Sequence, residues 1–222
     1  MLVVEQTLGR DHLQRLLDMM RADYMQPNQP RTIPLLRAVD HTDAYRRGPF
    51  AMYALREGVG AEPVNRALRN LLAKFPPGRS PFPTSLDFYA ELRAATPAPM
   101  HGLLKDLFEE ITFWEVSAKS MDVKPDGKGA YRVTLHIDAQ KLKGDSTGTE
   151  RPVPMNDPVE ILVYDANRKP LHRASQRIRS GAQTIELTVA RPPAGAVVDP
   201  DHELLDRQPE DNQVAVEGGA SR

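Results

Sequence analysis

The stretch from Met100 to Ser120, MHGLLKDLFEEITFWEVSAKS, changes its hydrophobic period partway along. Met100, Leu103, Leu104, Leu107, Phe108 and Ile111 fall on one side of a helix, a spacing near 3.6. Trp114, Val116 and Ala118 then alternate with Glu115, Ser117 and Lys119, the spacing of a strand with one face covered. The switch near residue 111 divides the chain into a helical part, 1–110, and a β part, 111–205. A polar, glycine-containing segment, 206–222, is expected to be a flexible tail. The expected fold class is therefore α+β, a helical array followed by an antiparallel β-sandwich.

Upstream of the switch the same device recurs, a short apolar stripe ended by proline or glycine. Leu13, Leu16, Leu17, Met20 and Tyr24 predict a first helix, halted by Pro27 to Pro30. Phe50, Tyr53 and Ala54 follow Arg46-Arg47-Gly48 and predict a second, closed by Gly58-Val59-Gly60. Val64, Leu68, Leu71, Leu72 and Phe75 predict a third. A fourth starts at Thr84, because Thr84-x-x-Asp87 has the spacing of a capping box. The fifth follows Thr96-Pro97. Downstream, Tyr131, Val133, Leu135 and Ile137 alternate with Arg132, Thr134, His136 and Asp138. Further strands are predicted in 159–164, 171–178 and 185–189, with turns at Pro125-Asp126-Gly127, Asp165-Ala166-Asn167 and Ser180-Gly181. Six or seven short antiparallel strands suit a sandwich.

Composition narrows the chemistry. The 222 residues carry 29 Lys and Arg against 30 Asp and Glu, so no global field favours nucleic acid or an anionic surface. No cysteine is present, which removes disulfides, thiolate nucleophiles and Cys-based metal sites. No apolar run reaches the roughly 20 residues of a membrane helix, so the chain as written is expected to be soluble.

Six histidines, His12, His41, His101, His136, His172 and His202, form no two-ligand pair. His202-Glu203-Leu204-Leu205-Asp206 starts as HExxH does but has Asp where the second ligand must stand, and a surface strand end is the expectation there. His41, in an expected loop near Tyr45, is the histidine whose position invites mutation. Arg173, Arg177 and Arg179 share one alternating face with Ser175, without aromatics between them; a solvated face or pairing with acidic neighbours accounts for them. The sharpest constellation is Ala44-Tyr45-Arg46-Arg47-Gly48-Pro49-Phe50. A phenol beside two guanidinium groups at a helix start can donate towards a developing oxyanion.

The segment from Pro34 through Tyr45-Arg46-Arg47-Gly48 to Leu55-Arg56 and Gly60-Ala61-Glu62 resembles the aminopeptidase N type zinc metallopeptidases, the gluzincins. In that family a Tyr-x-Lys-Gly element opens a helix, and Arg47 stands here where the lysine does. The likeness continues through Thr84 to Phe88 and Leu103 to Phe108. It then reaches Gly127 to Lys143 and Asp145 to Gly148, which look like that family's immunoglobulin-like domain, and Asp199-Pro200 with Leu204-Leu205-Asp206 resembles its closing strand. The wording is most similar to bacterial versions joined to an ABC transporter permease.

The resemblance implies a catalytic Tyr45 that hydrogen-bonds the tetrahedral intermediate of peptide hydrolysis, with zinc as the cofactor of the full-length family. Metal ligands and a cofactor site are not expected in this chain, because HExxH is missing and Glu5, in the region resembling that after the third zinc ligand, comes too late to be that ligand. The chain is thus expected to be a C-terminal fragment, inactive alone, whose partners are the missing catalytic half or a membrane permease domain, with a peptide substrate in the full-length context and no nucleic acid. The alternative is a non-enzymatic docking or scaffold module of a permease-associated protein.

Overall fold

The computed structural model describes residues 2–26 and 31–216. The proposed helix stop at Pro27 to Pro30 and the last six positions of the expected tail lie outside them. The chain divides into two compact units, Met1–Thr112 with Lys143–Arg151, and Phe113–Leu142 with Pro152–Arg222.

In the first unit, α1 (Leu2–Leu8) is separated from α2 (Arg10–Tyr24) by Gly9, whose φ of 89° lies in the left-handed region that glycine enters freely. On α2 the residues that reach the core are Leu13, Leu17, Arg21 and Tyr24, while Leu16 and Met20 are half-buried. A π-helical turn, Asp43–Arg47, runs directly into α3 (Gly48–Val59). The second helical stretch thus starts well before Phe50, and His41 lies in its first turn rather than in a loop. Gly60, φ 89°, ends α3 by donating its N–H to the Arg56 carbonyl at 2.8 Å.

Helices α4 (Ala61–Lys74) and α5 (Ser85–Ala95) pack together as a hairpin. The capping box is present: Thr84 Oγ1 accepts the Asp87 N–H at 3.2 Å and Asp87 accepts the Thr84 N–H at 2.8 Å. On α4 the expected stripe divides. Val64 and Ala67 are buried, whereas Leu68 and Leu72 face solvent. Helix α6 (His101–Phe108) stops short of Ile111, which was expected on its apolar face and instead opens the first strand. Ile111-Thr112-Phe113 are β-branched and aromatic, residues that fit a pleated surface better than a helix end.

The β part is made of antiparallel sheets arranged like a sandwich. Among the described residues one sheet has the order β1 (Ile111–Pro125), β2 (Tyr131–Gly144), β3 (Glu150–Val153), with β6 (Gly181–Val189) also pairing β2. The other runs β5 (Pro170–Arg179), β4 (Asn156–Tyr164), β7 (Gly195–Val198), β8 (Gln213–Ala215). The β2–β6 register places Tyr131 opposite Val189 and Ala139 opposite Gly181. Val133, Leu135 and Ile137 from β2 and Val159, Ile161 and Val163 from β4 fill the core. Trp114 Nε1 donates to Asp157 Oδ2 at 2.8 Å, and the nearly buried Lys141 ammonium reaches Asp157 at 2.9 Å. A buried indole N–H and a buried cation thus share one carboxylate.

Three hairpins turn on one five-residue pattern. Asp126, Asp145 and Asp165 each accept through Oδ1 the N–H groups two and four residues on, at 2.8 to 3.1 Å. The residue three positions after each aspartate, Gly129, Gly148 or Arg168, has φ between 61° and 90°.

The expected flexible tail from residue 206 differs over its described part. Asp206 is 1% exposed, bridges Trp114 and accepts the Val116 N–H at 3.0 Å; Pro209–Asn212 forms a 3₁₀ turn, and β8 pairs β7. Polar composition concealed this, because these residues are held by tertiary partners rather than by their own propensity.

Candidate functional site

Tyr45 projects from the π turn, 59% exposed, while Tyr24, Tyr53 and Tyr89 of the same unit are buried. It borders a cavity of about 490 Å³ lined by Asp23, Gln26, His41, Thr42, Tyr45 and Arg46. The His41 ring meets the Tyr45 ring edge-on, with centroids 4.4 Å apart and planes at 67°. His41 and Tyr45, singled out separately in the sequence, are thus brought together. Helical spacing accounts for these directions: Asp43 and Arg47, four apart, share the buried face, and Tyr45, midway between them, is exposed on the other.

The two arginines beside the phenol do not both serve it. Arg46 Nε binds Asp23 Oδ2 at 2.8 Å on the cavity wall. Arg47 is 3% exposed, with Nη2 donating to the Glu110 carbonyl and Nη1 lying 3.5 Å from the Tyr24 hydroxyl. Burial pushes the Tyr24 phenol up to about 12, against the smaller opposing pull of Arg47, so Tyr24 stays a neutral packing group. The expected pair of polarising cations is corrected to one wall cation, already paired, and one buried structural clamp.

Behind the turn, Asp40 and Asp43 are driven apart. Asp40 Oδ1 accepts the Asp43 N–H at 2.9 Å, which holds its carboxyl below the ordinary range. Burial, and then the neighbouring Asp40, raise that of Asp43. Glu5, weighed above as a metal ligand, lies on α1 and pairs with Arg56 at 2.7 Å, a contact that lowers its pKa.

The HELLD segment is neither a helix nor a strand end. His202 has φ 54°, and the backbone is folded around Asp199, which accepts the Glu203 and Leu204 N–H groups at 2.8 and 2.9 Å. Leu204, Leu205 and Asp206 are buried. HExxH chemistry needs both ligands one helical turn apart on one face, so this segment does not form an HExxH site. The arginine face of β5 is partnered: Arg173 binds Glu160 at 2.6 Å and also Asp201, and Arg177 donates to the Asn156 carbonyl at 2.8 Å.

A second cavity, about 470 Å³, lies on the β unit, with Glu115, Ser117 and Lys119 of β1 and Asp138 and Gln140 of β2 among its lining. The Arg207 guanidinium on its wall is 3.1 Å from Glu115. Among the described residues no helix is long and apolar enough to cross a membrane. Comparison with protein-family models and with curated proteins finds no match for the chain.

Proposed function

We propose that this chain is the C-terminal part of an aminopeptidase N type zinc metallopeptidase, with Tyr45 donating a hydrogen bond to the oxyanion of the tetrahedral species during peptide hydrolysis. The carrying observation is the exposure of Tyr45 on the rim of a cavity: a tyrosine kept only for packing would be buried, as Tyr24 and Tyr53 are. The order of a helical part followed by antiparallel sheets arranged like a sandwich supports the same reading. The zinc ligands and general base belong to sequence this chain does not contain, so the residues here bind and orient rather than generate the nucleophile. Arg46, tied to Asp23, shapes the wall, and Arg47 fixes the turn from which Tyr45 projects.

The first test is to read the gene in frame ahead of Met1. An HExxH followed by a downstream glutamate is expected, and a frame without them overturns the proposal. In the polypeptide that carries both parts, Tyr45→Phe should lower kcat on the order of 10²- to 10³-fold with little change in KM, since the donor acts mainly as charge develops. An unchanged kcat in Tyr45→Phe would exclude the tyrosine's role while leaving the family reading to the genomic result.

A further inference from the structure

Tyr45 stands on a backbone that is held from behind and carries a side chain that is not. Asp43 and Arg47 bury the opposite side of the turn, with Arg47 Nη2 donating to the Glu110 carbonyl. The start of the turn is fixed as well: Asp40 Oδ1 accepts the Asp43 N–H at 2.9 Å, and the Asp40 carbonyl accepts the Ala44 N–H at 3.2 Å. The Tyr45 side chain is exposed, and among the described residues its hydroxyl has no hydrogen-bond partner. A helical backbone alone leaves more than one rotamer open to such a phenol.

His41 supplies the choice. It lies four positions earlier in the same helical stretch, the separation that sets two side chains one above the other on one face. The 4.4 Å between the two ring centroids, with planes at 67°, is the close end of edge-on aromatic packing. Both rings border the same cavity, whose other long polar side chains are engaged elsewhere: Arg46 Nε binds Asp23 Oδ2 at 2.8 Å, and Gln26 Nε2 donates to the Ala22 carbonyl at 3.3 Å.

We infer that His41 is the positioning residue for Tyr45, its ring holding the phenol in one rotamer against the cavity. The inference rests on the reading of Tyr45 as the oxyanion donor and adds the residue that fixes the donor's direction. A donor acts in proportion to the fraction of molecules in which it is already aimed, because turning it as charge develops spends part of the gain. An edge-on ring pair shifts such a balance about two- to ten-fold. His41 itself touches no reacting atom and acts through Tyr45 alone.

NMR of this chain measures the balance without catalysis. The wild type should show ring-to-ring contacts between His41 and Tyr45 and side-chain couplings that report one dominant χ1 rotamer for Tyr45. His41→Ala should average those couplings, and His41→Phe, which keeps an aromatic ring and removes both nitrogens, should restore them. His41 is exposed, so the melting temperature should hold in both variants. Couplings already averaged in the wild type, or unaltered in His41→Ala, overturn the inference. In the polypeptide that carries both parts, His41→Ala should lower kcat about two- to ten-fold at nearly constant KM and add nothing in a Tyr45→Phe background. A loss that persists in that background gives His41 a role of its own and likewise overturns the inference. An unchanged kcat in Tyr45→Phe would instead remove the reading of Tyr45, while the coupling of the two rings stands or falls on the NMR result alone.

Discussion

Replacing Asp206 by alanine should unfold the β unit far more readily than its place in a polar segment suggests. The side chain is 1% exposed and accepts the N–H groups of Val116 at 3.0 Å and Gln208 at 2.9 Å. Removing it leaves two N–H groups without that acceptor, one of them buried, and each such loss costs about 1–3 kcal/mol. Against this stands relief of a buried charge, whose carboxyl is raised above its ordinary value chiefly by desolvation. The balance is a loss of about 2–4 kcal/mol for Asp206→Ala and about half that for Asp206→Asn, which keeps one acceptor oxygen. Trp114 is the chain's only tryptophan; it bridges Asp206 and donates its backbone N–H to Leu205 at 3.2 Å. Its fluorescence during urea unfolding therefore reports the region concerned. With a slope of about 1–3 kcal/mol per molar urea, the midpoint should fall by about 1–2 M. A fall of less than about 0.2 M with the slope unchanged would refute the view that residues 206–216 are built into the β unit.

Three further outcomes are expected. Burial pushes Asp199 up to about 6 from an ordinary 3.8, so the folded state holds its proton more tightly; this group favours folding below its ordinary pKa and loses that contribution as pH rises through about 6, and Asp199→Asn should flatten the melting temperature over that window. A Cβ at Gly195 would stand 2.3 Å from the Tyr164 hydroxyl and 2.7 Å from the Val214 carbonyl, so Gly195→Ala should cost about 3 kcal/mol in chemical denaturation, and a cost below about 1 would show that β7 and β8 can separate freely. Arg47→Lys replaces a fork that serves the Glu110 carbonyl and lies beside Tyr24 with a single ammonium, and should lower stability by about 1–2 kcal/mol; an unchanged melting curve would remove Arg47 as the clamp behind Tyr45.

Much of the fold was legible because helices and hairpins announce themselves locally. The Thr84 capping box, the Gly60 stop and the alternation of Val133, Leu135 and Ile137 each act over a few residues. Strands β3, β7 and β8 were not legible, since four or fewer residues with partners far along the chain carry no period of their own. The direction of Tyr45 was hidden for another reason. The inward face of the turn is formed by charged residues, Asp43 and Arg47, so no apolar stripe marks it and hydrophobic periodicity begins only at Phe50. Leu68 and Leu72 show the reverse failure: their spacing is helical, but periodicity alone does not tell which of two neighbouring stripes meets the core.

The repeated aspartate turns give the β part a sensitivity to acid opposite in sign to that of Asp199. Asp126 is held below its ordinary pKa by the N–H groups of Lys128 and Ala130, and Asp145 by the hydroxyl and N–H of Thr147. At Asp165 burial pulls upward, but the N–H groups of Lys169 and Asn167 prevail. Their contribution is complete above the ordinary carboxylate pKa and is lost as pH falls through the lowered values. Protonation of each aspartate therefore loosens its own closure, between β1 and β2, β2 and β3, or β4 and β5, as pH falls, while buried Asp199 is most at ease when protonated. Two populations of carboxylate, one at the hairpin ends and one in the interior, thus give opposing contributions to stability as pH falls.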